Sequence, residues 1–176
     1  MKNTNHSLFD KYEMIKDLGT GSSGSVTLVR HISMDQERAL KKVPKSSAFA
    51  ESALSEARLL KSLEHPSIPR IFDFEEDNAF YYIVEEYIDG ETLDSFLLHQ
   101  QLISPGLFFN ICEQLCNVFI YLHTQISTPI IYRDLKPEHI IVCHNKLKLI
   151  DFGVSAYVIQ DGNNFNHYGN IEFSAP

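Results

Sequence analysis

Residues 131–139 read Ile-Tyr-Arg-Asp-Leu-Lys-Pro-Glu-His, and seventeen residues after Asp134 a second short motif, Asp-Phe-Gly, occupies residues 151–153. Short apolar runs surround the two motifs, at Ile130–Tyr132, Ile140–Cys143 and Leu147–Ile150, and each is followed by charged or turn residues. The two carboxylates, with Lys136 between them in sequence, make this region the most informative part of the chain.

A glycine-rich turn lies far upstream of these motifs. Gly19-Thr20-Gly21-Ser22-Ser23-Gly24 fits the pattern G-x-G-x-x-G, and Val26 follows two residues later. Alone, the pattern is equally compatible with a flexible hairpin. A dinucleotide-binding fold would require a helix after the turn, but a strand is predicted there. Glycines between two strands let backbone N–H groups close over a triphosphate.

A lysine on the third predicted strand is the next candidate. Lys41 follows Gly24 by seventeen residues, and its neighbour Lys42 is expected on the opposite face because strand side chains alternate. A buried amine needs a carboxylate to hold it. Glu56, on the helix that follows, is the candidate, and Glu51 is the alternative.

The pattern of turns and apolar residues predicts an α+β chain. Strands are predicted at Tyr12–Leu18, Ser25–His31, Gln36–Val43, Ile68–Phe74 and Phe80–Tyr87. Helices are predicted at Ala48–Leu63, Thr92–Gln100 and from Ser104-Pro105 to about Thr124. The first part of the chain is therefore a mostly antiparallel sheet with one helix, and helices dominate after Asp89-Gly90.

Composition and charge exclude several classes of function. The formal net charge of −8 argues against binding to nucleic acid or to an anionic membrane. Residues 1–10 lack the apolar core of a signal peptide, and no apolar stretch approaches the length of a membrane span. Three cysteines, an odd number without disulfide spacing, suit the reducing cytoplasm.

Taken in order, the glycine turn, Lys41, Glu56 and the two acidic motifs resemble those of a Ser/Thr protein kinase of the bacterial type. The resemblance implies a bilobal kinase-like fold with a five-stranded antiparallel N-lobe and one helix. Residues 1–9 would be a tail, 10–88 the ATP-binding N-lobe and 89–176 the first part of a mainly α-helical C-lobe. Because the chain stops at Ala175-Pro176, we expect a kinase domain truncated within its activation segment.

The resemblance also implies a role for each motif residue, with ATP and Mg²⁺ as cofactors. Asp134 would accept the proton of the acceptor hydroxyl, and Lys136 would stabilise the transferring phosphate. Asp151 would bind Mg²⁺, while Lys41, held by Glu56, would bind the other phosphates. The remaining expected ATP-binding residues are Gly19, Gly21, Gly24, Val26, Ala39, Glu86, Ile88 and Ile141. Leu60, Ile71, Tyr132 and Phe152 would stack as a spine.

Four positions depart from the family pattern. His139 stands where an asparagine usually binds a second Mg²⁺, and imidazole suits that ion less well. The alternative role for His139 is as a transition-metal ligand together with Cys143 and His144. Tyr132 replaces a histidine. Glu85 occupies the gatekeeper position. Asn170 replaces the threonine that in this family bridges to the catalytic Asp and Lys. The stretch Ala156–Phe173 contains no Ser or Thr, which argues against activation by threonine phosphorylation at the usual place.

We therefore expect an ATP-dependent Ser/Thr phosphotransferase that acts on a protein substrate. The alternative is a nucleotide-binding pseudokinase or remnant that binds a partner, favoured by His139, Asn170 and the chain's end. A small-molecule kinase of the aminoglycoside type is a third reading, but Lys136 and the Ala-Pro ending argue against it. The exposed helix that a shortened C-lobe would leave predicts a dimer or a partner that supplies the missing part.

Overall fold

The computed structural model describes residues 7–21, 24–99 and 103–158. Contacts divide the described chain into two compact units. The first lies within Met1–Lys61 and Arg70–Tyr87, and the second lies within Ser62–Pro69 and Ile88–Pro176. In the described part of the chain the first unit has one sheet and the second has two, and each unit is considered by itself.

The first unit is built on a five-stranded antiparallel sheet, which confirms the predicted α+β class. The strands are ordered β1-β2-β3-β5-β4, and every neighbouring pair is antiparallel. The elements of this unit are α1 (Leu8–Lys11), β1 (Tyr12–Gly21), β2 (Gly24–His31), β3 (Gln36–Pro44), α2 (Ala50–Lys61), β4 (Ile71–Glu76) and β5 (Phe80–Glu86).

Both faces of this sheet are covered. One face packs against α2 through Val43, Ala53, Ala57 and Ile83. The other face is covered by the N-terminal segment, where Leu8 and Tyr12 pack with Val29, Leu40, Tyr82 and Val84. Leu8 is completely buried, and its backbone N–H donates a hydrogen bond to the Glu75 carboxylate. The segment before the first strand is therefore part of the core of this unit.

Helix α2 follows from its sequence. Ala53, Ala57 and Leu60 recur at helical spacing and are buried, as the apolar face of an amphipathic helix should be. Glu51 in the first turn and Arg58 in the last turn complement the helix dipole. The helix ends at Lys61, a few residues before the predicted stop at His65-Pro66.

The fourth strand begins later than predicted. It starts at Ile71, not Ile68, because Pro69 has no N–H to donate to a sheet. The N–H of Ile68 instead donates to the His65 carbonyl oxygen at 3.0 Å, which closes a turn. Ile68 is buried, but it belongs to the second unit.

The second unit contains helices and two small sheets, ordered β6-β8-β9 and β10-β7. Its elements are β6 (Glu91–Thr92), α3 (Leu93–His99), α4 (Pro105–Ile120), a π-helical turn (Tyr121–Gln125), β7 (Ile130–Ile131), a 3₁₀ turn (Pro137–His139), β8 (Ile140–Cys143), β9 (Lys146–Leu149) and β10 (Ala156–Tyr157). The apolar runs around the two acidic motifs are thus short strands, and the motifs lie on the loops that follow them.

Helix α4 starts where the sequence predicts. The Ser104 hydroxyl accepts a hydrogen bond from the Leu107 N–H at 3.2 Å, and Pro105 occupies the first turn. The regular helix ends at Ile120, before the predicted end near Thr124, and continues as the π-helical turn. There the Thr124 hydroxyl donates to the Ile120 carbonyl oxygen at 2.6 Å, a side-chain bond that competes with the regular helical pattern.

Candidate functional site

The cationic part of the site lies in the first unit, where β3 faces α2. Lys41 Nζ lies 2.9 Å from Glu56 Oε2, and their side chains are 22% and 11% exposed. Glu51, the alternative partner, is exposed one and a half turns earlier on the same helix. Lys42 lies on the opposite face, with its Nζ 4.0 Å from the centre of the Phe80 ring. The alternation of the strand therefore gives the two lysines different surroundings.

The glycine turn borders the same face of the sheet. Gly21 pairs with Gly24, and Val26 pairs with Lys41 in the register of β1, β2 and β3. Gly24 has φ +138°, and a Cβ there would lie 2.1 Å from the Lys42 carbonyl oxygen, so only glycine fits. At Gly19, by contrast, an added Cβ would meet nothing within 4 Å among the described residues. Residues 22 and 23 of the turn lie outside the described part of the chain.

Glu85 and Glu86 end the fifth strand. Glu85 stands opposite Ala39 of β3 and Ile71 of β4, so these three side chains share one face of the sheet. Burial raises the pKa of Glu85 to about 7, the nearby Lys41 opposes this rise, and Glu56 adds to it. A carboxyl group with a pKa near neutrality thus lies on the face that carries Lys41.

Two hydrogen bonds with the backbone of Arg70, one from the Glu86 N–H and one to the Glu86 carboxylate, hold the neighbouring residue Glu86. The Glu86 N–H donates to the Arg70 carbonyl oxygen at 2.9 Å, and the Arg70 N–H donates to Glu86 Oε2 at 3.3 Å. This pair ties the end of β5 to the start of β4.

In the second unit, the segment that follows residue 87 lies against β8. The Gly90 N–H donates to the Ile88 carbonyl oxygen at 3.1 Å. A Cβ on Gly90 would lie 2.5 Å from the Val142 carbonyl oxygen and 2.8 Å from Ile141 Cγ2, so this approach needs a glycine. Ile88 and Ile141, both expected at the nucleotide, are thus near the same glycine contact and are half-buried.

The acidic part of the site also lies in the second unit. Lys136 Nζ lies 3.3 Å from Asp134 Oδ2. His139 joins the two acids, with its Nδ1 2.9 Å from the Asp134 carbonyl oxygen and its Nε2 3.3 Å from Asp151 Oδ2. The structure therefore brings together Asp134, Lys136, His139 and Asp151.

Two buried aromatic rings support this cluster from behind. Tyr132 and Phe152 are 2% and 1% exposed, and their rings meet edge to face with centroids 5.0 Å apart. The Tyr132 hydroxyl donates a hydrogen bond to the Ile150 carbonyl oxygen, directly before Asp151. Tyr132, a departure from the family pattern, thus both packs on Phe152 and holds the backbone of the acidic motif. The wider spine with Leu60 and Ile71 stays a prediction.

No sequence pattern indicates the backbone conformation at two of the motif residues. Arg133 and Asp151 have φ values of 71° and 60°, in the left-handed region that residues other than glycine seldom adopt. Arg133 Nε donates to the Val154 carbonyl oxygen at 2.7 Å, and the Gly153 N–H donates to Asp151 Oδ1 at 3.3 Å. Strained residues of this kind cluster at functional sites.

Asp151 fits a hydrated divalent cation. Its side chain is 54% exposed, and a carboxylate oxygen is the hard ligand that Mg²⁺ prefers. Within the described residues, no group of three or more His, Cys, Asp and Glu side chains is arranged to hold a metal ion. A cation at Asp151 would therefore take most of its ligands from water and from a bound phosphate.

Two of the predictions from the sequence concern membrane-spanning helices and the C-terminal residues. None of the helices in the described part of the chain combines the length and apolar character that crossing a bilayer would demand. Asn170 and the Ala-Pro ending lie beyond residue 158, outside the described residues.

A five-stranded antiparallel sheet with a Lys–Glu pair, followed in sequence by one loop that carries Asp134 and Lys136 and a second loop that carries Asp151, is the arrangement of the protein kinase class. The family model described as "Protein kinase domain" matches residues 12–176. The chain therefore belongs to the protein kinase domain family, whose members generally use ATP and Mg²⁺ and act on protein substrates.

Curated relatives agree with this family. The chain is 31% identical over 150 residues to "Serine/threonine-protein kinase PrkC" of Bacillus subtilis, with 82% of this chain and 23% of that protein covered. It is 33% identical over 191 residues to "Calcium-dependent protein kinase 4" of Plasmodium falciparum, covering 100% of this chain and 34% of the relative. It is 33% identical over 166 residues to "Serine/threonine-protein kinase ppk25" of Schizosaccharomyces pombe, covering 92% and 38%. The chain thus spans less than two fifths of the length of these proteins.

Proposed function

We propose that this chain binds ATP with Mg²⁺ and carries the residues that transfer the γ-phosphoryl group to a Ser or Thr hydroxyl of a protein. The observation that supports this most directly is the cluster of Asp134, Lys136 and Asp151 around His139, with contacts of 2.9–3.4 Å. Residues 10–88 would serve nucleotide binding, and residues 89–176 would serve phosphoryl transfer.

Each polar residue has a step that its chemistry suits. The acceptor oxygen forms a bond to the γ-phosphorus while the bond from that phosphorus to the β–γ bridging oxygen breaks, so that ADP leaves. Asp134 accepts the proton of the hydroxyl, and the Lys136 ammonium stabilises the charge on the transferring group. Mg²⁺, held by Asp151, would neutralise phosphate charge. Lys41, oriented by Glu56, binds the other phosphates.

The nucleotide would also contact backbone and apolar groups. In this proposal the glycine turn approaches the triphosphate, Val26, Ala39 and Ile141 contact the adenine ring, and the backbone of Glu86 and Ile88 bonds its polar edge. The residues of the turn are Gly19, Gly21 and Gly24. The need for glycine at residue 24 has a separate cause, because a side chain there would meet the backbone of β3.

The role of Asp134 as the proton acceptor is tested in a phosphotransfer assay with Mg-ATP and casein, in which the wild type is compared with Asp134→Asn. We expect the variant to lose transfer by at least about a hundredfold, the scale of a positioned general base, while it still binds a fluorescent ATP analogue. Equal transfer by both proteins would reject the proposal. Saturable ATP binding without transfer by the wild type would favour the pseudokinase reading instead.

The role of Lys41 in binding phosphate is tested by comparing substitutions of two adjacent lysines, Lys41 and Lys42. Lys41→Met should weaken binding of the ATP analogue by about tenfold or more, because a charge-assisted hydrogen bond contributes about 1.5–3 kcal/mol. Lys42→Met removes the same charge from the opposite face of the strand and is the control. Equal affinities for the two variants, measured on folded protein, would contradict the assigned role of Lys41.

The identity of the protein substrate, a dimer or partner at α4, and a cytoplasmic location stay predictions. Exposed apolar side chains on α4, Phe108 and Phe109, are compatible with a covered surface there. The three free cysteines are compatible with a reducing compartment.

A further inference from the structure

Glu85 is a titratable side chain close to Lys41 that the proposed phosphotransfer does not use. In the antiparallel register of β3 and β5, Lys41 lies opposite Ile83, and Ala39 lies opposite Glu85. Glu85 is therefore the diagonal neighbour of Lys41, and diagonal neighbours have Cβ atoms about 7–8 Å apart, within reach of long side chains. Ala39 carries only a methyl group, so it does not separate the two longer side chains.

Lys41 thus faces two carboxyl groups on two different elements. On α2, Glu56 Oε2 lies 2.9 Å from Lys41 Nζ. On β5, the half-buried Glu85 carboxyl is attracted by the charge of Lys41 and repelled by that of Glu56. One ammonium group therefore stands between a carboxylate that holds it directly and a second carboxyl group on the neighbouring strand.

The remaining neighbours of Glu85 on this face are uncharged side chains. β4 places Ile71 opposite Glu85 and Phe74 opposite the residue two positions before it. Tyr81, a phenol, lies four residues before Glu85 on β5. These three side chains pack with the apolar cluster that faces α2. The balance of charge around Glu85 therefore depends on one amine and two carboxyl groups.

An ionised Glu85 would compete with phosphate for this amine. The Lys41 ammonium carries one positive charge and three N–H donors, and in the proposed function it binds phosphates of ATP. A second carboxylate beside it attracts Nζ towards β5 and reduces the electrostatic attraction that a phosphate experiences. A neutral carboxyl group at the same position has no such charge, so Lys41 then stays with Glu56.

We propose that Glu85 is a positioning residue that controls nucleotide affinity through Lys41: its charged form competes with the triphosphate for the ammonium group, and its neutral form does not. The proposal rests on the proposed function, in which Lys41 binds phosphate. Because burial raises the pKa of Glu85 to about 7, the neutral form dominates below that pH and the charged form above it. Nucleotide affinity should therefore fall as the pH rises through 7.

The coupling works in both directions, since linkage between two binding events is reciprocal. A bound triphosphate favours the neutral form of Glu85, so the protein should take up part of a proton when the nucleotide binds near pH 7. Loss of a buried side chain that only supports the fold would not produce this proton uptake.

The test is isothermal titration calorimetry of the full chain with Mg²⁺ and the β,γ-methylene analogue of ATP, which cannot transfer its phosphate. Affinities of the wild type and Glu85→Gln are measured at pH 6, 7 and 8, each in two buffers with different ionisation enthalpies. Relative to the variant, the wild type should lose about fivefold in affinity between pH 6 and pH 8, a modest charge–charge effect. It should also take up protons that the variant does not. The titration of the analogue itself is the same for both proteins and cancels.

Glu37→Gln is the matched control, because it removes an exposed carboxylate four residues from Lys41 on β3. It should keep the pH profile and the proton uptake of the wild type. Glu85→Asp is a second variant that keeps the ionisable group but shortens its reach, and it should show a smaller loss of affinity with pH. If Glu85→Gln does not fold, this variant decides.

A further pair of variants shows whether Glu85 acts through the amine. Lys41→Met and the double variant Lys41→Met/Glu85→Gln should bind the analogue with parallel pH profiles up to pH 9, because the group for which the carboxylate competes is absent. A steeper loss of affinity in Lys41→Met than in the double variant would mean direct repulsion of the triphosphate and would overturn the proposal.

The proposal is also overturned if the wild type and Glu85→Gln have parallel affinity profiles and equal proton uptake while both bind the analogue. That result leaves the proposed phosphotransfer intact, since the comparison of the wild type with Asp134→Asn does not depend on it. A wild type that does not bind the analogue at any pH contradicts the proposed function itself. Failure of the two proposals is thus distinguishable.

Discussion

Glu85 should make the stability of this protein depend on pH in a direction opposite to that of most carboxylates. It lies on the face of the sheet that carries Lys41, opposite Ala39. Burial raises its pKa from an ordinary value of 4.5 to about 7, although the Lys41 ammonium opposes the rise. Between pH 4.5 and about pH 7, the Glu85 carboxyl is therefore protonated in the folded protein but ionised in the unfolded chain.

This difference in the pKa of Glu85 determines the direction and the size of the change in stability with pH. Below pH 4.5 the carboxyl is protonated in both states, so the contribution of Glu85 to stability is fully present. As the pH rises through 7 that contribution is lost, because the folded state must then keep a charge in a poorly hydrated place. A pKa change from 4.5 to about 7 corresponds to about 3 kcal/mol, and most of it falls between pH 5 and pH 8.

The perturbation is Glu85→Gln, which keeps the shape of the side chain and removes its ionisation. Urea unfolding at pH 5, 6, 7 and 8 gives the free energy of unfolding of both proteins. We expect the wild type to lose about 2–3 kcal/mol relative to the variant between pH 5 and pH 8. Glu51→Gln, an exposed position on α2, is the control for losing one negative charge.

Parallel pH profiles for the wild type and Glu85→Gln would refute the reasoning. They would mean that the carboxyl stays hydrated in the folded protein, whatever its position in the sheet. A wild type that becomes more stable than the variant as the pH rises would also refute it, because a charged partner must then outweigh burial.

Two further predictions concern the core and the support of the acidic cluster. Leu8→Ala should destabilise the protein by about 2–5 kcal/mol, since the side chain is completely buried against the sheet; urea unfolding measures this, and Leu98→Ala at an exposed position is the control. Tyr132→Phe should cost about 1 kcal/mol, because it removes the hydrogen bond to the Ile150 carbonyl oxygen but keeps the ring. The same assay tests it against Tyr157→Phe, which changes an exposed ring, and equal stabilities of these two variants would contradict it.

The sequence predicts the main elements of the fold because their signals are local. Alternating apolar residues and turn residues predict the five strands of the sheet, and the spacing of Ala53, Ala57 and Leu60 is that of an amphipathic helix. The signals fail where distant contacts decide. Ile68 is apolar and looks like part of a strand, but its N–H closes a turn and its side chain belongs to the second unit. Leu8 is buried by a sheet whose covering no local pattern reveals.

The candidate site shows the same division. Motif spacing and the family resemblance together point to Lys41, Asp134 and Asp151, and they leave Glu56 and Glu51 as candidate partners of Lys41. The structure pairs Lys41 with Glu56. The pKa of Glu85 depends on how far neighbouring strands exclude water, which the sequence does not specify.

The least predictable feature is how the backbone holds the acidic cluster, and it explains why the motif residues around the acids are not interchangeable. Left-handed backbone at Arg133 and Asp151 costs about 1–3 kcal/mol for each residue, and neither residue is a glycine that would avoid the cost. Specific bonds offset it: Arg133 Nε to the Val154 carbonyl and the Tyr132 hydroxyl to the Ile150 carbonyl. The side chains of Arg133 and Tyr132 thus hold the backbone around Asp134 and Asp151, and in this way they position the two carboxylates. It follows that an arginine or an aromatic hydroxyl in this motif can be essential without touching a substrate, since its partner is the backbone that carries the acid.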